Sequence, residues 1–161
     1  MAQPTIILLR HAEKPKDKTN VNLSHKGLRR AAALAPYLLD KFGPPCAIYA
    51  MKQGSPTESA RPIQTITPTA TQAKLPVLTS YDKNSYPSLV NAILSNTDYT
   101  GKTVYIVWEH KCLDKIAKQF GVSAPKWDSD DFCHTWQLTY SGKGYTLKVV
   151  PQKLMYGDSS S

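Results

Sequence analysis

Three places along the chain deliver basic or imidazole groups downstream of an apolar run. Arg10-His11 follows Thr5–Leu9, Arg61 follows Cys46–Ala50 and a Gly/Ser/Pro loop, and Glu109-His110 follows Thr103–Trp108. These residue types suit phosphoryl transfer. A guanidinium presents a planar fork that matches phosphate oxygens and keeps its charge at any working pH. A neutral histidine can attack phosphorus, forming a phosphohistidine that water later cleaves. Arg10, Arg61 and a protonated His110 would then surround the equatorial oxygens as charge redistributes in the transition state. Two neighbouring guanidiniums repel a cation, which weighs against the other use of paired histidines as zinc ligands. Each residue also has a plainer role: Arg10 can pair with Glu13, Arg61 with Glu58, and a histidine at a strand end can bond a loop. For one residue alone the plainer role prevails; the convergence of four favours a site.

The elements that position these groups follow from hydrophobic periodicity. Thr5–Leu9 is a continuous apolar, β-branched run, the pattern of a strand buried on both faces. Ser24 can cap a helix in which Leu28, Ala31, Ala32, Ala35, Leu38, Leu39 and Phe42 recur at helical spacing, up to a stop at Gly43. Pro36 falls inside that period and should kink the helix or remove one hydrogen bond. Cys46–Ala50 and Pro76–Thr79 read as short strands, with a helix between them across Ser59–Ala73 that several threonines and Pro68 weaken. Pro87 opens a short helix over Leu89–Leu94, and Thr103–Trp108 is the strongest strand, followed by a helix from about Leu113 to Phe120. Thr135–Tyr140 and Tyr145–Val150 flank Ser-Gly-Lys-Gly, a hairpin signal.

This order predicts one α/β domain over residues 1–161: three layers, a mostly parallel central sheet with helices on both faces, and a C-terminal antiparallel hairpin at the edge. Residues 157–161 read as a frayed tail. In such sheets ligands gather outside the carboxyl ends of the strands, where Arg10, His11, Glu109 and His110 fall.

A chain of 161 residues with 41% apolar and 20% charged residues has a globular composition, sized for one core. No apolar run approaches the ~20 residues of a membrane span, and no secretory signal is read at the start. Cys46, Cys112 and Cys133 are isolated, so neither a disulfide framework nor a structural zinc site is expected, and a reducing, cytoplasmic setting fits. The formal charge is +8. Between Arg10 and Arg30 stand seven basic and two acidic residues, a local field that attracts phosphates. Nucleic acid ranks last among partners because that segment has no aromatic residue for base stacking.

Ile7–Pro15, reading Ile-Leu-Leu-Arg-His-Ala-Glu-Lys-Pro, resembles the Arg-His opening of the histidine phosphatase superfamily, the phosphoglycerate-mutase-like fold. Leu23–Ala31 resembles the family's Leu-Ser/Thr-x-x-Gly-x-x-x-Ala helix start, and Ser59–Thr65 is similar to its Ser-x-Arg-x-x-Gln-Thr segment. Val107–His110 stands where the family places its second histidine, and Trp127–Phe132 and Gln152–Asp158 look like a small branch carrying Arg-His-Ala-Glu-Lys-Pro. The resemblance implies His11 as the phosphorylated nucleophile, with Arg10, Arg61 and His110 as the phosphate pocket, and no metal or organic cofactor. It also implies that a backbone carbonyl holds the second ring nitrogen of His11.

The family's leaving-group acid has no clear counterpart. The segment Ser80–Pro87 lacks both Glu and Gly, leaving Asp82 as the nearest candidate, with a turn or helix-start role equally open. Glu109 precedes His110 and would point to the other side if strand geometry persists; Glu58 is a third possibility. Good leaving groups such as phosphohistidine, acyl phosphates and aryl phosphates are therefore expected, on a phosphorylated small molecule or a phosphoprotein at an open site. Phosphoglycerate mutase activity is not expected. The alternative is a weak or inactive phosphate-binding scaffold of the same fold.

Overall fold

The two most apolar runs of the chain lie side by side. In the computed structural model, which describes residues 2–161, β1 (Thr5–Arg10) and a later strand, Thr103–Trp108, pair in parallel from Thr5 opposite Thr103 to Arg10 opposite Trp108. In chain order β1 is followed by α1 (His25–Phe42), β2 (Ala47–Ala50), α2 (Arg61–Ala73), β3 (Val77–Leu78), α3 (Tyr86–Ser95) and a 3₁₀ turn at Thr97–Tyr99. Then come β4 (Thr103–Trp108), α4 (His110–Gln119), β5 (His134–Tyr140) and β6 (Tyr145–Pro151). The six strands form one sheet in the order β3-β2-β4-β1-β5-β6. The first four run parallel; β5 joins β1 antiparallel and closes the edge as a hairpin with β6.

Both sheet faces are covered, which is why β1 and β4 are apolar without alternation. On one face Ile7, Leu9, Ile48, Tyr105 and Val107 meet Leu34 and Leu38 of α1 and Ile66 and Ala70 of α2. On the other, Ile6, Leu8, Val104, Ile106 and Trp108 meet Leu89 and Ile93 of α3 and Leu113 and Ile116 of α4. Each such side chain, withdrawn fully from water, contributes about 1.5–3 kcal/mol.

The cap of α1 is as expected: Ser24 Oγ accepts the Gly27 amide at 3.0 Å. The buried stripe is rotated from the expected one. It runs through Gly27, Arg30, Ala31, Leu34, Ala35 and Leu38, while Leu28 is 52% exposed. Gly27 packs directly on the Glu13 backbone, where a Cβ would collide with the Glu13 carbonyl. The Gly27–Arg30 side of α1 therefore faces the loop after β1, and Leu28 is left outside. Pro36 sits on the exposed side, and the helix passes through it. Three of the four threonines of α2 donate their hydroxyls to carbonyls four residues back, Thr65 to Arg61 at 2.7 Å, Thr67 to Ile63 at 2.6 Å and Thr71 to Thr67 at 2.9 Å, while the Thr69 hydroxyl is buried without a partner. Those three bonds satisfy groups which otherwise compete with a helix.

One boundary is corrected. The last helix begins at His110 rather than near Leu113, so the second histidine opens α4. Within the stretch 157–161, one side chain is anchored. Asp158 is held by Arg30 through Nη1 at 2.9 Å and Nη2 at 2.7 Å, and also accepts the Leu154 amide at 3.0 Å. Arg30, only 2% exposed, makes a second bidentate pair with Glu13 and donates to Gln152. Burial disfavours its charge, but the bonds it donates to Asp158 and Glu13 outweigh that and raise its pKa. Arg30 is thus neutralised inside the protein and does not add to the basic surface.

Candidate active site

Parallel pairing ends together at Arg10 and Trp108, so the residues after β1 and β4 emerge side by side. The His11 amide continues the ladder by one bond to the Trp108 carbonyl at 3.3 Å, and the Met51 amide after β2 bonds the Val107 carbonyl at 3.0 Å. Here a cavity of about 200 Å³ is lined by Arg10, His11, Lys14, Met51, Ser59, Arg61, Glu109, His110 and Lys111. Arg61 is the first residue of α2 and His110 the first of α4. Both helices thus begin at the cavity, adding the partial positive charge of their N-termini to four cationic side chains and one carboxylate.

Each principal side chain is held from behind. Arg10 donates through Nη1 to the carbonyls of Ser129 at 2.5 Å and Asp131 at 3.2 Å, and its guanidinium stacks 3.8 Å above the Phe132 ring. Its other edge, Nε and Nη2, is buried without a hydrogen-bond partner in the protein. That edge is the side-on fork that binds an oxyanion through two parallel bonds. Burial pulls the guanidinium down to about 10, against the pull of Asp131 and other acids, so it stays charged at neutral pH. Arg61 is clamped by the Asn22 carbonyl at 3.1 Å and by the Asn20 carbonyl.

His11 is 5% exposed, and its Nδ1 donates to the Ala12 carbonyl at 2.7 Å, as the resemblance implied. That bond places the free lone pair on Nε2. Burial first, then Arg10, Arg61 and His110, hold the ring down to about 3, with the Ala12 bond acting the other way. The ring is therefore neutral at physiological pH. The Ala12 peptide is itself pinned: its amide donates to Thr65 Oγ1 at 2.8 Å, and Thr65 donates to the Arg61 carbonyl at 2.7 Å. Gln64 bonds the Leu23 amide at 2.9 Å and Asn22 Oδ1 at 2.7 Å. The Ser59–Thr65 segment thus positions the loop beneath His11 as well as Arg61. His110 is pulled below its usual value by burial and then by Arg10, with Glu109 opposing, and its Nδ1 is buried without a partner.

The plainer pairings do not form: among the described residues no ion pair joins Arg10 to Glu13 or Arg61 to Glu58. The three candidate acids separate. Asp82 lies outside the cavity, exposed, accepting from the Asn84 amide at 3.1 Å and the Ser85 hydroxyl at 2.8 Å. Those bonds, Ser85 first, hold its carboxyl below the usual range, so it carries no proton at neutral pH. Glu58 accepts the Gly54 amide at 2.8 Å and, with Asp82, lines a neighbouring cavity of about 500 Å³. Glu109 lines both cavities and pairs with Lys83 at 3.3 Å. The expectation that it points away fails because the strand ends at Trp108, after which alternation no longer applies. Sequence reasoning also missed the Arg10 support, since Asp128–Phe132 is irregular and has no period to read, and the cationic lining from Lys14 and Lys111.

The same fold occurs in solved structures of phosphatases and of a phosphoglycerate mutase. The chain is similar to the protein histidine phosphatase SixA complexed with tungstate, at TM-score 0.66 and 16% identity over 92% of this chain and 97% of that one. It is similar to a mycobacterial glucosyl-3-phosphoglycerate phosphatase in complex with inorganic phosphate, at 0.62 and 13% over 92% and 97%. Phosphoglycerate mutase from Plasmodium falciparum matches at 0.65 and 12% over 100% and 99%. At these identities the likeness is one of fold. No protein-family profile and no curated protein matches the sequence. Among the described residues no helix is long and apolar enough to cross a membrane.

Proposed function

We propose that the protein is a metal-independent phosphatase of the histidine phosphatase superfamily, acting through a phosphohistidine on His11. The observation that carries this reading is the open edge of Arg10: two buried, unpartnered N–H groups beside an imidazole whose other nitrogen is already committed. In the reaction, His11 Nε2 attacks phosphorus while the bond to the leaving oxygen breaks. Arg10, Arg61 and His110 hold the equatorial oxygens. Water then attacks the phosphohistidine, the N–P bond breaks and inorganic phosphate departs, restoring neutral His11. Four cationic side chains around one carboxylate already paired to Lys83 make the cavity hostile to a divalent cation. Glu109, the one carboxylate in the lining, is the candidate to protonate the leaving oxygen; with that proton donor paired, substrates with good leaving groups fit best. These are aryl and acyl phosphates or phosphohistidine, on a small molecule or a phosphoprotein, and mutase chemistry is not proposed.

The test is an aryl phosphate assay at mildly acidic pH with chelator present, on wild type beside His11→Ala. Turnover that falls by about a thousandfold or more in the variant, with acid-labile phosphate trapped on wild type alone, is the expected result. Turnover surviving in His11→Ala removes the nucleophile from the scheme. Phosphate binding with no trapped intermediate and no turnover identifies a binding scaffold instead.

A further inference from the structure

The loop that supports Arg10 ends in a second group of donors which phosphoryl transfer does not use. Asp131, Cys133 and His134 place a carboxylate oxygen, a thiol sulfur and an imidazole nitrogen within 4.8 Å of one another. Cys133 Sγ lies 3.6 Å from His134 Nδ1, and Asp131 Oδ2 lies 2.8 Å from the same nitrogen. His134 Nε2 donates to the main-chain oxygen of Ser161 at 2.8 Å and Nδ1 donates to the Asp131 carboxylate, so a cation at Nδ1 would replace the proton now held against that carboxylate. Both Asp131 oxygens reach Nδ1, Oδ1 at 2.9 Å and Oδ2 at 2.8 Å, and Oδ1 also accepts the Cys133 amide at 2.9 Å, so Oδ2 is the oxygen with the freer lone pair.

Three lone-pair donors that face one point need a positive charge between them, a proton or a metal ion. The 3.6 Å between sulfur and nitrogen is close to the edge of a tetrahedron with bonds of about 2.3 Å to sulfur and about 2.0 Å to nitrogen, whereas the 2.8 Å between Asp131 Oδ2 and Nδ1 is a hydrogen-bond spacing that must open to about 3.3 Å on binding. We propose that Asp131, Cys133 and His134 form a binding site for a divalent cation of the zinc class, with water as the fourth ligand. Thiolate and imidazole select zinc over magnesium or calcium, which take oxygen ligands. The Ser161 oxygen supplies the outer partner that orients a ligating histidine. On binding, the thiol proton, and any proton held between Nδ1 and Asp131, passes to solvent; three coordinate bonds form and no electron is transferred.

None of the three residues lines the phosphate cavity. The Asp131 carbonyl holds Arg10 Nη1 and the Phe132 ring underlies the guanidinium, so the cation would fasten the start of β5 to the support of Arg10. Its role is structural and independent of whether His11 turns over a substrate.

The purified, chelator-stripped protein is titrated with Zn²⁺ alone by calorimetry and with Co²⁺ alone by absorption. One tight equivalent, proton release and a thiolate-to-cobalt charge-transfer band are expected. Cys133→Ser abolishes the band and weakens Zn²⁺ binding at least about tenfold, as even loss of an outer partner does. His134→Gln weakens binding similarly, while Cys46→Ser and His25→Asn change neither signal. Zn²⁺ raises the thermal midpoint of wild type and not of Cys133→Ser, whose fold is checked by circular dichroism. No band in wild type, or a band and affinity that survive Cys133→Ser, overturns the proposal. So does binding that vanishes in His110→Asn, because the cation then sits in the phosphate cavity.

Discussion

At the scale of single residues, the site depends on which hydrogen-bonding edges are already spent. Arg10 has one edge committed to carbonyls and one free, and a lysine could supply the charge but not the paired geometry. Arg10→Lys should weaken inorganic phosphate binding about 10- to 100-fold, the equivalent of one charge-assisted bond; calorimetry reads it directly, and an unchanged affinity would place the anion elsewhere. His110 has the opposite character, a ring kept neutral by burial and Arg10 until an anion arrives. A bound dianion favours its protonated form, so phosphate affinity should rise as pH falls below the ordinary histidine value of about 6.5. His110→Asn should flatten that dependence, which titrations at pH 5 to 8 would show.

At the scale of elements, helix α1 carries two opposed irregularities. Gly27 permits contact with the Glu13 backbone, and Gly27→Ala should cost about 1–3 kcal/mol by overpacking, measured by urea unfolding. Pro36 lies on the exposed side, where an amide would restore a helical bond; Pro36→Ala should stabilise the protein by up to about 3 kcal/mol in the same assay. The strands and the meeting of Arg10, His11, Arg61 and His110 are legible in the sequence because apolar runs mark strands and parallel strands end at one rim. Other features escape for identifiable reasons. The stripe of α1 is misread because Arg30, a charged residue, counts as surface until its partner Asp158 is found 128 positions away. Glu109 is misdirected because alternation is extended one residue beyond the end of β4.

At the scale of the whole molecule, stability should carry the signature of a buried neutral imidazole. Unfolded His11 binds a proton near pH 6.5 and folded His11 only near about 3. Between those values the unfolded state holds the extra proton, so the contribution of His11 to stability falls as pH drops from 6.5 toward 3. Denaturant titrations across that window should show a shallower decline in His11→Asn than in wild type; equal slopes would mean the ring is not held neutral.

Arg30 joins Glu13 to Asp158, so the segment after β6 is tied to the loop after β1 that carries His11. A deletion beginning at Tyr156 would strand a buried cation with half its anions, a defect of about 3–5 kcal/mol. Affinity tags or reporters are therefore better placed on the amino-terminal side, since cutting or crowding the carboxy-terminal side would disturb the loop that carries His11 from a distance.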